Sequence, residues 1–186
     1  SEDLYRDYKP PLACSEGCDL CCYPPVSATV PEVANIVAYV LSRLPTEEQD
    51  RIERRVHEVA RQVALLTGRQ RIERNIACPY LRDGCCSIYE VRPLACRGFN
   101  STDRTVCEKV FAQPEAPPPV PAFVPLMASA QGLKQGLFGG LKQSGLPNPM
   151  VDLVKGSKKL IDSLDETLEE WLEGKDVFAD CQPFRD

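Results

Sequence analysis

Thr29 to Gly68 reads TVPEVANIVAYVLSRLPTEEQDRIERRVHEVARQVALLTG, and this run decides the fold. Val33, Ile36, Val37, Val40, Leu41 and Leu44 recur at helical spacing, so an amphipathic helix is expected from about Pro31. Thr29 stands as its N-cap, and Glu32 three positions on completes a capping box. Pro45-Thr46 breaks that helix and starts a second. Ile52, Val56, Val59, Val63 and Leu66 form the second buried stripe, with Gly68 as the expected C-cap. Two antiparallel helices return the chain close to its starting point. Whatever lies at the open end of the pair is thereby brought to one place.

What lies there is sulfur. The 186-residue chain carries ten cysteines and one histidine. Cys14, Cys18, Cys21 and Cys22 precede the helices; Cys78, Cys85, Cys86 and Cys96 follow them. Cys18 and Cys21 make a C-x2-C knuckle, which lets two thiolates point at one ion from a tight turn, and Gly17 eases that turn. Cys14 supplies a third corner. Consecutive side chains are expected to point apart, so Cys22 is assigned to a second metal or to another corner of a polynuclear cluster. Cys85-Cys86 poses the same problem. Two four-thiolate zinc sites, two clusters, or one cluster with spare thiols would all use this supply. Arg92 and Arg97 flank Cys96 and are expected to offset thiolate charge through charge-assisted hydrogen bonds.

Working outward, residues 1–13 read as an irregular arm. The segment 78–99 is turn-rich around Asp83-Gly84. Six prolines between Gln113 and Pro125 predict an extended strap, or a polyproline ligand for a partner. Leu126 to Gly145 reads as a helix with Gly132, Gly136 and Gly140 on one stripe. Close helix packing is the first reading of that stripe, and a protein-partner face the second. A last helix is expected from Ser157 to Glu173, turning Leu160, Ile161, Leu164, Leu168, Trp171 and Leu172 inward. The expected fold is mainly α. A helical hairpin brings two cysteine-rich loops to a metal site in a domain of residues 1–112. The strap of 113–125 and a helical extension of 126–186 pack on that same domain.

The motifs Cys14-x3-Cys18-x2-Cys21-Cys22, Cys78-Pro79-Tyr80-Leu81 and Cys86-Ser87-Ile88-Tyr89-Glu90-Val91-Arg92-Pro93-Leu94-Ala95-Cys96-Arg97-Gly98-Phe99 occur in order. Together they resemble the YkgJ-type cysteine-cluster family, described as a zinc- or iron-chelating domain. The resemblance covers about residues 14–107. It implies Cys14, Cys18, Cys21, Cys22, Cys78, Cys86, Cys96 and Cys107 as metal ligands, with Cys85 and Cys181 as extras. A related cysteine cluster in flagellin lysine methylases is associated with a [4Fe–4S] centre, which tilts the expectation toward iron.

Other classes are poorly served. A net charge of −5 and a pI near 5.1 argue against nucleic-acid binding. No apolar run reaches the roughly 18 residues of a membrane span. Ligand-like cysteine spacing predicts a reduced, cytoplasmic metal site over a disulfide scaffold. Cys14-x3-Cys18-x2-Cys21 also matches the radical S-adenosylmethionine spacing, but no βαβ alternation accompanies it. His57 lacks the second histidine of a zinc protease and reads as a surface or packing residue. No phosphate loop, dinucleotide fingerprint or nucleophile elbow is present, which points away from an enzyme. Three functions follow. The first is an iron–sulfur protein, with a [4Fe–4S] cluster for electron transfer, sensing or an accessory role. The second is a structural zinc module for protein interaction. The third is a metal-handling protein or cluster-dependent enzyme.

Overall fold

The computed structural model describes residues 9–183. Residues 1–8 of the expected N-terminal arm lie outside them. Eight helices and four very short strands make the described chain mainly helical. The first strand, β1 (Ser27–Thr29), runs into α1 (Val30–Arg43). The expected capping box is present: Thr29 accepts from Glu32 N, and the Glu32 carboxylate accepts from Thr29 N at 2.7 Å. After Pro45 comes α2 (Thr46–Ala64), which buries Ile52, Val56, Val59 and Val63.

Gly68 does not cap α2. That helix closes at Leu65, and Gly68 opens a further helix, α3 (Gly68–Glu73). Thr67 and Gln70 form a second capping box there, a stronger local signal than the glycine. Next, β2 (Leu81–Arg82) and β3 (Cys85–Cys86) pair as an antiparallel hairpin. Its turn residues Asp83 and Gly84 both take positive φ, 50° and 75°. A two-residue hairpin loop needs this backbone, and Asp-Gly supplies it at low cost. Two short helices follow, α4 (Leu94–Gly98) and α5 (Arg104–Ala112). The proline segment then crosses the surface without regular structure. It is held where Asn100 Oδ1 accepts from Phe123 N at 2.7 Å and Thr102 N donates to Pro121 O at 2.9 Å.

The last third contains α6 (Val124–Gln143), β4 (Met150–Asp152), α7 (Leu153–Asp162) and α8 (Leu164–Leu172). The helix expected from Ser157 to Glu173 is thus two helices, broken at Ser163, where the backbone leaves the helical region (φ −160°, ψ 74°). Leu172 is 62% exposed and does not face inward. The two-helix hairpin is also more elaborate than expected. α7 is the main packing partner of both α1 and α2, so the pair is joined through a third helix. Gly156 permits this: a Cβ there would sit 3.1 Å from Val151 and 3.4 Å from Val33. β4 pairs antiparallel with β1, matching Ala28 with Val151. One core runs through Val33, Ile36, Val37, Ile52, Val56, Tyr80, Ile88, Leu160, Trp171 and Phe178.

The glycine stripe of α6 makes no close contact with the described residues. Cβ atoms added at Gly132, Gly136 or Gly140 would meet open space. The tight approach to α6 comes from α4, where a Cβ on Gly98 would lie 2.6 Å from that of Ala130.

Candidate metal centre

The two cysteine segments are sewn together through the backbone. Cys78 N donates to Cys22 O at 2.8 Å, which joins residues 56 positions apart. On the first segment, Cys18 N closes a turn on Ser15 O at 3.1 Å, with Gly17 in the left-handed region at φ 79°. Only glycine adopts that backbone without strain. Cys21 and Cys22 follow in a 3-10 turn, Leu20–Cys22. Their thiols hydrogen-bond to each other, so these consecutive side chains do not point apart as expected.

Cys14 is fixed from a distance. Its Sγ accepts from Ser101 N at 3.4 Å, while Ala13 N donates to Ser101 O at 2.8 Å. Ser101 in turn meets Asp103, the N-cap of α5, the helix that carries Cys107. α5 packs on the Leu20–Cys22 turn. On the second segment, alternation along β3 leaves Cys85 exposed and half-buries Cys86. Cys96 lies on α4. The N-terminus of α4 is tied to α1 through Glu32, whose Oε1 accepts from Leu94 N at 2.7 Å. The hairpin is held to α2 by Glu48, which accepts from Arg51, Arg82 and Ser87. The sequence marked Glu32 as a capping residue only, and gave no signal for Glu48.

The thiols of Cys14, Cys18, Cys21 and Cys107 lie near enough to bear on one another, as do those of Cys21, Cys22, Cys78, Cys86 and Cys96. Burial and the neighbouring thiols Cys21, Cys18 and Cys107 raise the pKa of Cys14. Burial pushes Cys78 and Cys96 up to about 12, and raises Cys86 as well. The bond from Cys22 draws Cys21 down to about 7, aided by Arg92 and opposed by burial. Cys22, as donor in that bond and partly buried, is raised. Crowded, buried thiols keep their protons, and a soft cation that binds them replaces those protons. Among the described residues, no three metal-ligating side chains close on a point as a single bound ion would need. Cys181 sits elsewhere, buried in the core with Asp180 and Lys159 as its charged neighbours.

The two arginines diverge. The Arg92 guanidinium stacks over Tyr89 at 4.0 Å and bears electrostatically on Cys21, Cys86 and Cys96. Its Nε is buried and has no hydrogen-bond partner among the described residues. An N–H donor left over beside thiols suits a set of groups that become anionic on metal binding. Arg97 turns away: it donates to the carbonyls of Arg92 and Glu90 and holds that loop in shape. His57 pairs with Asp162 across 3.2 Å, remote from any thiol contact.

Comparison with known proteins agrees with this chemistry. The model of the CxxCxxCC family, described as "Putative zinc- or iron-chelating domain", matches residues 13–115. The chain belongs to that family. No curated protein and no solved structure matches it. The matched segment spans all the gathered thiols and ends before α6. No helix among the described residues is long and apolar enough to cross a membrane.

Proposed function

We propose that this CxxCxxCC-family protein holds an iron–sulfur cluster, of the [4Fe–4S] type, through its gathered cysteines. A bound cluster would supply one-electron transfer or a sensing centre, in the cytoplasm. The observation that carries the reading is the Cys22–Cys78 backbone link, which joins the two cysteine segments beside Arg92, whose charge bears on Cys21, Cys86 and Cys96. A cube holds its four ligating sulfurs further apart than a single ion does. The unpartnered Arg92 Nε is placed to donate to sulfur and lower the cost of the cluster's negative charge.

A structural zinc centre is the second reading, favoured by the Cys18–Cys21 knuckle and the glycine turn before it. A protein partner would meet the solvent-facing stripe of Gly132, Gly136 and Gly140 on α6. Anaerobic purification of the untagged protein decides between the metals. Brown protein with iron and acid-labile sulfide in equal amounts is expected. Colourless protein loaded with zinc overturns the cluster.

A further inference from the structure

We propose that Glu32 is a positioning residue for the metal centre. Its one carboxylate ties the strand that leaves the first cysteine segment to the helix that carries Cys96, and so sets where that thiol stands. The inference deepens the metal-binding reading and rests on it.

α4 cannot hold its own direction. It has five residues, too few for a helix to persist by itself. Its N-cap is Pro93, which offers no side-chain hydrogen bond to the free N–H groups that open a helix. The acceptor comes instead from α1, 62 positions earlier, where Glu32 Oε1 takes the Leu94 N–H at 2.7 Å. Oε2 of the same carboxylate accepts from Thr29 N at 2.7 Å and from Thr29 Oγ1 at 2.8 Å. Thr29 is buried at the end of β1, and β1 follows closely on the Leu20–Cys22 turn. α4 also packs on β1. The far end of α4 is fixed where Gly98 meets Ala130. Cys96 is therefore the middle residue of a short helix pinned at both ends.

The two carboxylate oxygens do separable work. A capping box accepts glutamine as readily as glutamate, but glutamine has only one acceptor oxygen. In Glu32→Gln that oxygen goes to Thr29, where two donors converge. The amide NH2 then faces the Leu94 N–H, donor against donor. This change keeps the start of α1 and cuts α4 loose. Thr29→Ala does the reverse: it removes the cap hydroxyl, while the backbone N–H at position 29 and the bond to Leu94 stay.

The full chain, stripped of metal and kept reduced, is reacted with N-ethylmaleimide, and each thiol is followed by mass mapping. In Glu32→Gln, Cys96 should react about tenfold faster relative to Cys86 than in wild type, the factor that one charge-assisted hydrogen bond supports. Thr29→Ala should leave that ratio unchanged while lowering the thermal midpoint. Leu94→Pro deletes the donor from the other side and suits the first position of a helix. It should reproduce the faster Cys96 reaction without touching α1. After reloading with zinc, or with ferrous iron and sulfide, Glu32→Gln and Leu94→Pro should hold metal about tenfold less tightly against a competing chelator. An unchanged Cys96 ratio in Glu32→Gln or, where that variant does not fold, in Leu94→Pro overturns the inference. So does an equal loss of metal affinity in Thr29→Ala, which would make the effect one of general stability. Wild type that takes up neither metal sinks the metal-binding reading; the Cys96 ratio, measured without metal, still decides whether Glu32 places that thiol.

Discussion

Glu48 shows how much one side chain outside the sulfur group contributes to it. Its carboxylate is 8% exposed and receives Arg51 through two bonds, with Ser87 and Arg82 adding one each. Those donors, Arg51 foremost, hold its pKa at about 2 against an ordinary 4.5, although burial opposes them. A depressed carboxylate stabilises the fold above its unfolded pKa, and the gain fades as pH falls toward the folded one. Linkage puts it at about 3 kcal/mol, trimmed to about 2 by solvent at the half-exposed Arg82. Glu48→Gln should therefore lower the urea-unfolding free energy by about 2 kcal/mol at pH 7. The gap between variant and wild type should close between about pH 4.5 and 2. An unchanged gap across that range would show that the ionised carboxylate is not what binds the hairpin to α2.

At the scale of elements, α4 is the piece on which sulfur geometry and packing meet. It carries Cys96, is anchored at its start by Glu32, and ends at Gly98 against α6. Ala130 offers a rigid Cβ, so the 2.6 Å approach cannot be relieved by a side-chain rotation. Gly98→Ala should cost about 1–3 kcal/mol as overpacking. The combined change Gly98→Ala with Ala130→Gly should restore most of this, leaving about 1 kcal/mol for glycine inside a helix. Thermal unfolding of the three variants checks it; a double variant no better than the single would mean the contact is slack. Much of this scale was legible in advance. Thr29-x-x-Glu32 marked the start of α1, and Asp83-Gly84 marked a turn, though not the strand pair that flanks it. The α6 glycines misled, because four-residue spacing shows that a close approach is permitted and not that any surface arrives to use it.

The whole molecule depends on a segment that carries no cysteine ligand. α7 packs against α1 and α2, Tyr80 donates to Ser157 at 2.6 Å, and Arg71 pairs with Asp152, the N-cap of α7. The family match ends at residue 115, yet the core continues through Val151, Leu160, Trp171 and Phe178. Removing residues 146–186 would uncover Val33, Val37, Ile52 and Val56, each worth about 2 kcal/mol of burial. The sum is on the order of 8 kcal/mol, comparable to the whole stability of an average domain. That truncation should abolish cooperative urea unfolding and near-ultraviolet circular dichroism. A truncated chain with an unchanged transition would place the stabilising core elsewhere.

Local chemistry alone determined the metal-binding character of this protein. Thiol spacing, capping pairs and helical periodicity act over a few residues, and each can be read from its neighbours. The contact between Cys22 and Cys78, the anchoring of Cys14 by Ser101, the different directions of Arg92 and Arg97, and the wedge of α7 were decided only by the tertiary structure. Those depend on which distant surfaces meet, and the loop and helix directions that set the meeting leave no periodic mark on the chain.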